Sequence, residues 1–162
     1  MDESIETYMP EMLKQEREII GGRDLDIRTY SPLTLAFIGD AVFGLYIRTV
    51  VVAQGNTAPG KLHSRCSELV KAGTQAAMIR GIADTLTEEE KQVYRRGRNA
   101  QASSRAKNAT MSDYRHATGL EALFGYLYLT GQGDRMTELA EQCLNYYDEQ
   151  ILTKERKQKH EI

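Results

Sequence analysis

The stretch Ser31–Arg48, SPLTLAFIGDAVFGLYIR, is apolar or small around a helical wheel except for one carboxylate in its middle, Asp40. Ser31 is a good N-cap and Pro32 a natural first helical residue, so the stretch predicts a helix with a defined start, running to about Ala53. A helix of this composition is expected to be central and buried on every side. An ionised carboxylate buried alone costs several kcal/mol or changes its pKa, so Asp40 needs a basic partner, hydrogen-bond donors or a metal ion. Ala36 and Gly44 lie one turn to either side and Gly39 beside it, so Asp40 sits on a strip of small side chains that permits close approach.

A second stretch repeats the design. In Asp113–Thr130, DYRHATGLEALFGYLYLT, the acid after the opening residue is Glu121, with Ala117, Thr118 and Gly125 about one turn away. If the two strips face each other, Asp40 and Glu121 become neighbours, and paired anions lacking a basic partner call for a divalent cation. Ligation by oxygen alone favours magnesium or manganese over zinc. Satisfaction of both acids by backbone amides, or by Arg48 or Arg115, is the alternative that the residues leave open.

The remaining composition sets the frame. A chain of 162 residues without a Pro/Gly/Ser-rich linker predicts one domain, with residues 1–24 as an N-terminal extension, 25–152 as the folded unit and 153–162 as a polar tail. With 27% charged and 41% hydrophobic residues it reads as a soluble chain, and no apolar run reaches the roughly 20 residues of a membrane span. The opening MDESIETYMPEM is unlike a secretory signal, and Cys66 and Cys143 lack metal-ligand spacing and read as reduced thiols, so a cytoplasmic location is expected. Net charge is −2, but its distribution is uneven. Lys91, Arg95, Arg96, Arg98, Arg105 and Lys107 fall in an acid-free run from Lys91 to Met111, and the other 15 basic residues against 23 acidic ones leave −8 elsewhere. That is the electrostatic footprint a polyanion uses.

Along the rest of the chain, Met9–Ile20 is a short amphipathic helix ended by Gly21-Gly22, and Arg23–Tyr30 an extended connector. Ala58-Pro59-Gly60 opens a helix to about Gly73, and Thr74 to about Leu86 forms the next. Thr87 with Glu90 is a capping box starting another helix that Gly97 stops. Arg98–Thr110 has no large apolar residue and reads as an exposed basic loop. The last helix runs from about Gly133 to Leu152, before a tail expected to fray. The fold class is all-α, about seven helices without a repeat.

LAFIGDAVFGLYI (Leu35–Ile47) resembles the signature helix of the ribonuclease III catalytic domain, and TGLEAL (Thr118–Leu123) resembles its second motif, D-x-x-E-A-L followed by an apolar helix. The nearest resemblance is to the minimalist subgroup, Mini-ribonuclease III, in which the double-stranded-RNA-binding domain is lacking; it covers about Leu25 to Gln150. Full-length ribonuclease III has glutamates seven and four residues before the signature aspartate, where this chain has Leu33 and Ala36, and an aspartate where it has Thr118. These departures resemble the subgroup and leave fewer carboxylates to hold a second metal ion.

The resemblance implies a homodimer that cuts both strands of duplex RNA with magnesium, or manganese as substitute, leaving 5′-phosphate and 3′-hydroxyl ends. The implied substrate is precursor large-subunit (23S) ribosomal RNA, which a ribosomal protein would present. Asp40 and Glu121 would be the catalytic metal ligands. Thr118, one turn before Glu121, would orient it or a water, or be merely a core threonine. Arg95, Arg96, Arg98, Arg105 and Lys107, with Lys61 and Arg65, are the candidates for the RNA backbone. His63, His116 and His160 have no paired nucleophile. Two other readings stay open: a non-catalytic RNA-binding ribosome assembly factor, and a helical interaction module with structural acids.

Overall fold

The computed structural model describes residues 26–100 and 110–160, together with Ile19. The expected helix Met9–Ile20, apart from Ile19, and most of the expected basic loop, including Arg105 and Lys107, lie outside the described part. After a short 3-10 turn at Ile27–Thr29, seven α-helices follow: α1 (Pro32–Ala53), α2 (Pro59–Val70), α3 (Ala72–Ile82), α4 (Glu88–Asn99), α5 (Met111–Leu129), α6 (Gly133–Tyr146) and α7 (Thr153–His160). A π-helical turn, Tyr147–Leu152, joins α6 to α7, so the tail expected to fray continues as helix. No strand occurs among the described residues, in keeping with the all-α expectation.

The helix starts follow local chemistry. Ser31 caps α1 by accepting from Leu33 N–H at 3.2 Å, with Pro32 in the first turn. Thr87 and Glu90 form the expected reciprocal box on α4. Glu90 is buried there, and Arg135 of α6 grips its two oxygens at 2.7 and 3.0 Å. Thr110 caps α5 by accepting from Asp113 N–H at 3.0 Å.

The helix at the centre is α5, not α1. It packs most extensively on α1, then on α4 and α3, and it also touches α6. Ala117–Leu120, Ala122–Gly125 and Leu127 are all buried. The main core gathers Phe43, Ile47 and Val51 of α1, Met78 and Ile79 of α3, Leu120, Leu123 and Phe124 of α5, and Leu139 of α6. Phe43 and Phe124 meet edge to face with centroids 5.2 Å apart. By contrast, α1 buries one face only: Leu33, Phe37, Leu45 and Val52 lie along the other, and Phe37 is 82% exposed. The all-round burial expected of this helix is therefore corrected, because its composition is apolar on both faces while the core covers one. At 22 residues it is also long and apolar enough to cross a bilayer, contrary to expectation, although one face packs into the core.

The contact of α1 with α5 is backbone on backbone. A Cβ added at Gly39 would lie 1.6 Å from the Glu121 carbonyl oxygen, and one at Gly125 would lie 1.9 Å from that of Leu35. No side chain fits at either point. Gly39→Ala and Gly125→Ala are each expected to lower stability by about 1–3 kcal/mol or more, as overpacking does. Urea titration followed by far-ultraviolet circular dichroism checks this; an unchanged midpoint in both would mean that the helices do not cross there.

Candidate active site

The glycine crossing brings Asp40 next to Glu121. Gly39 precedes Asp40, and its partner at the crossing is the backbone of Glu121 itself. Both carboxylates line one open cavity of about 390 Å³, together with Ala36, Phe37, Tyr114 and Thr118. Asp40 is exposed and Glu121 half-buried. Burial, aided by the charge of Asp40, pushes the Glu121 carboxyl up to about 8. The pair is thus brought together against its own repulsion.

The basic partners left open by the sequence do not serve this purpose. Arg48 donates to the Gly44 carbonyl at 3.3 Å, one turn up its own helix. Among the described residues no hydrogen bond is recorded to either carboxylate, from Arg115 or from backbone amides, and no group of three or more His, Cys, Asp or Glu side chains gathers that could hold a metal. Two carboxyl groups without a basic partner at a water-accessible cavity fit a hard divalent cation, with solvent completing its coordination. Thr118, buried at the same cavity, donates its hydroxyl to the Tyr114 carbonyl at 3.0 Å and keeps oxygen lone pairs to accept from water. Leu33 and Ala36, which stand where full-length ribonuclease III has glutamates, line the cavity as well.

The cationic candidates divide. Arg95 and Arg96 are exposed on the C-terminal half of α4, and Arg98 packs its guanidinium 5.7 Å from the Tyr94 ring centroid. Lys61 and Arg65 are exposed one turn apart on α2, a helix that packs on α1. Two residues at the cavity escaped the sequence reading as cavity residues. Phe37 was counted with the core, although the repeat Leu33, Phe37, Leu45, Val52 marks a second apolar face of α1. Tyr114 lies one turn before Thr118 and shares the strip.

The raised Glu121 carboxyl has a consequence for stability. The folded chain holds a proton there that the unfolded chain releases near 4.5, so the folded state binds more protons between about pH 4.5 and 8. Stability is therefore lost as pH rises through that window. In chelator-containing buffer, Glu121→Gln is expected to gain on the native chain between pH 5 and pH 8 by up to a few kcal/mol. Urea titration at both pH values checks it; the same difference at each would mean that Glu121 is not held neutral.

Known proteins resemble this chain over most of its length. Residues 33–132 match the family model of the ribonuclease III domain. A Mini-ribonuclease 3 from Clostridium tetani is 43% identical over 125 residues, spanning 76% of this chain and 83% of the relative. Another from Thermoanaerobacter sp. is 46% identical over 123 residues, 76% of this chain and 87% of the relative. A crystal structure of a Fusobacterium nucleatum protein superposes with a TM-score of 0.67 at 31% identity, covering 75% of this chain and 98% of that one. With the matched region enclosing both carboxylates and the crossing that pairs them, the chain belongs to the ribonuclease III family, alongside the Mini-ribonuclease 3 proteins, and is an endoribonuclease.

Proposed function

We propose that the protein cleaves double-stranded RNA in a metal-dependent hydrolysis at Asp40 and Glu121, leaving 5′-phosphate and 3′-hydroxyl ends. The observation that carries this reading is the convergence of two carboxylates, unneutralised by any basic side chain, at an open cavity. Asp40 and Glu121 would hold magnesium, for which manganese can substitute. When bound, such an ion neutralises charge on the scissile phosphate and lowers the pKa of water. Glu121 gives up its proton to bind it, and Thr118 accepts from a water at the cavity and keeps it in place. Arg95, Arg96, Arg98, Arg105 and Lys107 bind the backbone of the duplex, with Lys61 and Arg65 as weaker contributors. Such a ligand offers phosphates, shape and 2′-hydroxyls rather than readable base edges.

The physiological substrate in this reading is precursor 23S ribosomal RNA in the cytoplasm, presented by a ribosomal protein. The working species is a homodimer. Its support is the second apolar face of α1, where Leu33, Phe37, Leu45 and Val52 are 37%, 82%, 47% and 61% exposed. A face of this kind is what a partner surface removes from water. Phe37 also lines the cavity, so a second copy docked there would border the carboxylates.

The direct test incubates the purified chain with an end-labelled duplex-RNA hairpin, with magnesium or with chelator, beside Asp40→Asn. Magnesium-dependent cuts that vanish in the variant, with 5′-phosphate products, are expected. Binding without cutting would sink the hydrolysis and leave an RNA-binding assembly factor. For the dimer, Phe37→Glu and Leu45→Glu are expected to shift the sedimentation coefficient to that of a monomer while leaving helix content unchanged. A native chain that already sediments as a monomer at micromolar concentration would contradict the interface.

A further inference from the structure

Around the α5 axis from the carboxylate pair, Arg80 of α3, Tyr94 and Arg98 of α4 and His116 of α5 lie close enough to act on one another. Tyr94 of α4 is buried, and its ring lies against the α5 backbone where a Cβ at Gly119 would meet it at 2.6 Å. Its hydroxyl is hydrogen-bonded to Nδ1 of His116 on α5. The Arg98 guanidinium covers the ring and donates from Nε to the Asn99 side chain at 3.3 Å. From α3, Arg80 donates to Asp113 Oδ1 at 3.2 Å and to Ser112 Oγ at 3.0 Å while remaining 45% exposed.

The charges here do not balance. The groups that act on His116 are Arg80 of α3, Tyr94 and Arg98 of α4, and Asp113 of its own helix. Two guanidinium groups thus face one carboxylate. Burial and the two arginines hold the His116 imidazole below its usual range, with Asp113 pulling the other way. Arg98 meets a ring and an amide rather than an acid, and Arg80 keeps N–H donors beyond the two it spends.

We propose that Arg80, Arg98 and His116 form a second phosphate-binding subsite, which takes a phosphodiester of the RNA duplex away from the scissile bond. The proposal rests on the RNA reading above. Glu121 lies five residues beyond His116, about 7.5 Å along the helix and about 140° around it, so one phosphate does not reach both places. Guanidinium groups suit phosphate oxygens because their N–H donors form a planar fork. Tyr94 keeps His116 competent in either state: it donates to the neutral imidazole and accepts from the charged one. An anion in the subsite favours the charged imidazole, so binding takes up a proton and affinity rises as pH falls from 8 to 6. The subsite also sits where the basic segment leaves α4 and enters α5, since Arg98 ends the one and Ser112 and Asp113 begin the other.

Binding of a labelled duplex-RNA hairpin to the full chain carrying Asp40→Asn provides the test, across salt and at pH 6 and 8. Arg80→Gln and Arg98→Gln are each expected to weaken binding roughly tenfold and to flatten the log–log salt slope by about one. Arg80→Lys, which keeps the charge, restores most of the affinity. His116→Gln is expected to erase the gain between pH 8 and pH 6. Melting curves report any loss of fold, and Lys154→Gln on α7 serves as a charge-matched control. Unchanged affinity and slope in both arginine variants, or an equal loss in the Lys154 control, would overturn the subsite. A pH dependence retained in His116→Gln removes the imidazole from it. A native chain that neither binds nor cuts the hairpin overturns the RNA reading itself, and the subsite with it.

Discussion

Gly39 on α1 and Gly125 on α5 let two helix backbones touch, and the placement of the candidate site depends on that contact. Each glycine faces a carbonyl of the other helix at a distance that excludes a Cβ, so helix separation and axial register are set together. Register matters because Asp40 follows Gly39 directly while Glu121 provides the carbonyl opposite it. A slip of one residue would turn one carboxylate by about 100° around its axis and separate the pair. The core beyond the crossing, with Phe43 edge-on to Phe124, supplies the apolar burial that holds the carboxylates together. The site is thereby assembled against its own electrostatics, and the raised Glu121 carboxyl is the sign of that opposition.

The same device recurs on another side of α5. A Cβ on Gly97 would stand 2.7 Å from that of Ala122, and Gly119 lies under the Tyr94 ring. Close approach to α1 positions the carboxylates, and close approach to α4 positions Tyr94, with Arg98 over its ring, on another side of α5. A single buried helix can organise both sets because its small residues occupy more than one face: Gly125 meets α1, Gly119 and Ala122 meet α4. Capping and the Glu90–Arg135 pair then tie α4 to α6 from its other end. A buried pair of this kind is costly to break and contributes modestly while intact, so its role is to hold a position.

Net charge conceals an uneven distribution of charge over the fold. The chain is at −2 overall, yet the C-terminal half of α4 exposes Arg95 and Arg96, and α5 exposes Arg115. Acidic and basic groups are thereby divided between two sides of α5: Asp40 and Glu121 lie on the α1 side, Arg80 and Arg98 on the α3 and α4 side.

The sequence by itself determined the helices, the caps at Ser31 and Thr87, and the placing of each acid on a strip of small residues; that the two strips face each other was decided by packing. Ser31-Pro32, the Thr87–Glu90 box and the small-residue strips around Asp40 and Glu121 all act within a turn or two, so they are legible from neighbours alone. The tertiary structure decided which helix is central and what α1 does with its second apolar face. Composition made α1 look buried on every side, but burial depends on how many neighbours surround a helix, and α5 has four where α1 leaves Phe37 and Val52 in solvent. The cluster of Arg80, Tyr94, Arg98 and His116 was equally out of reach. Its members are up to 36 residues apart on three helices, and nothing in their spacing specifies the angles at which those helices pack.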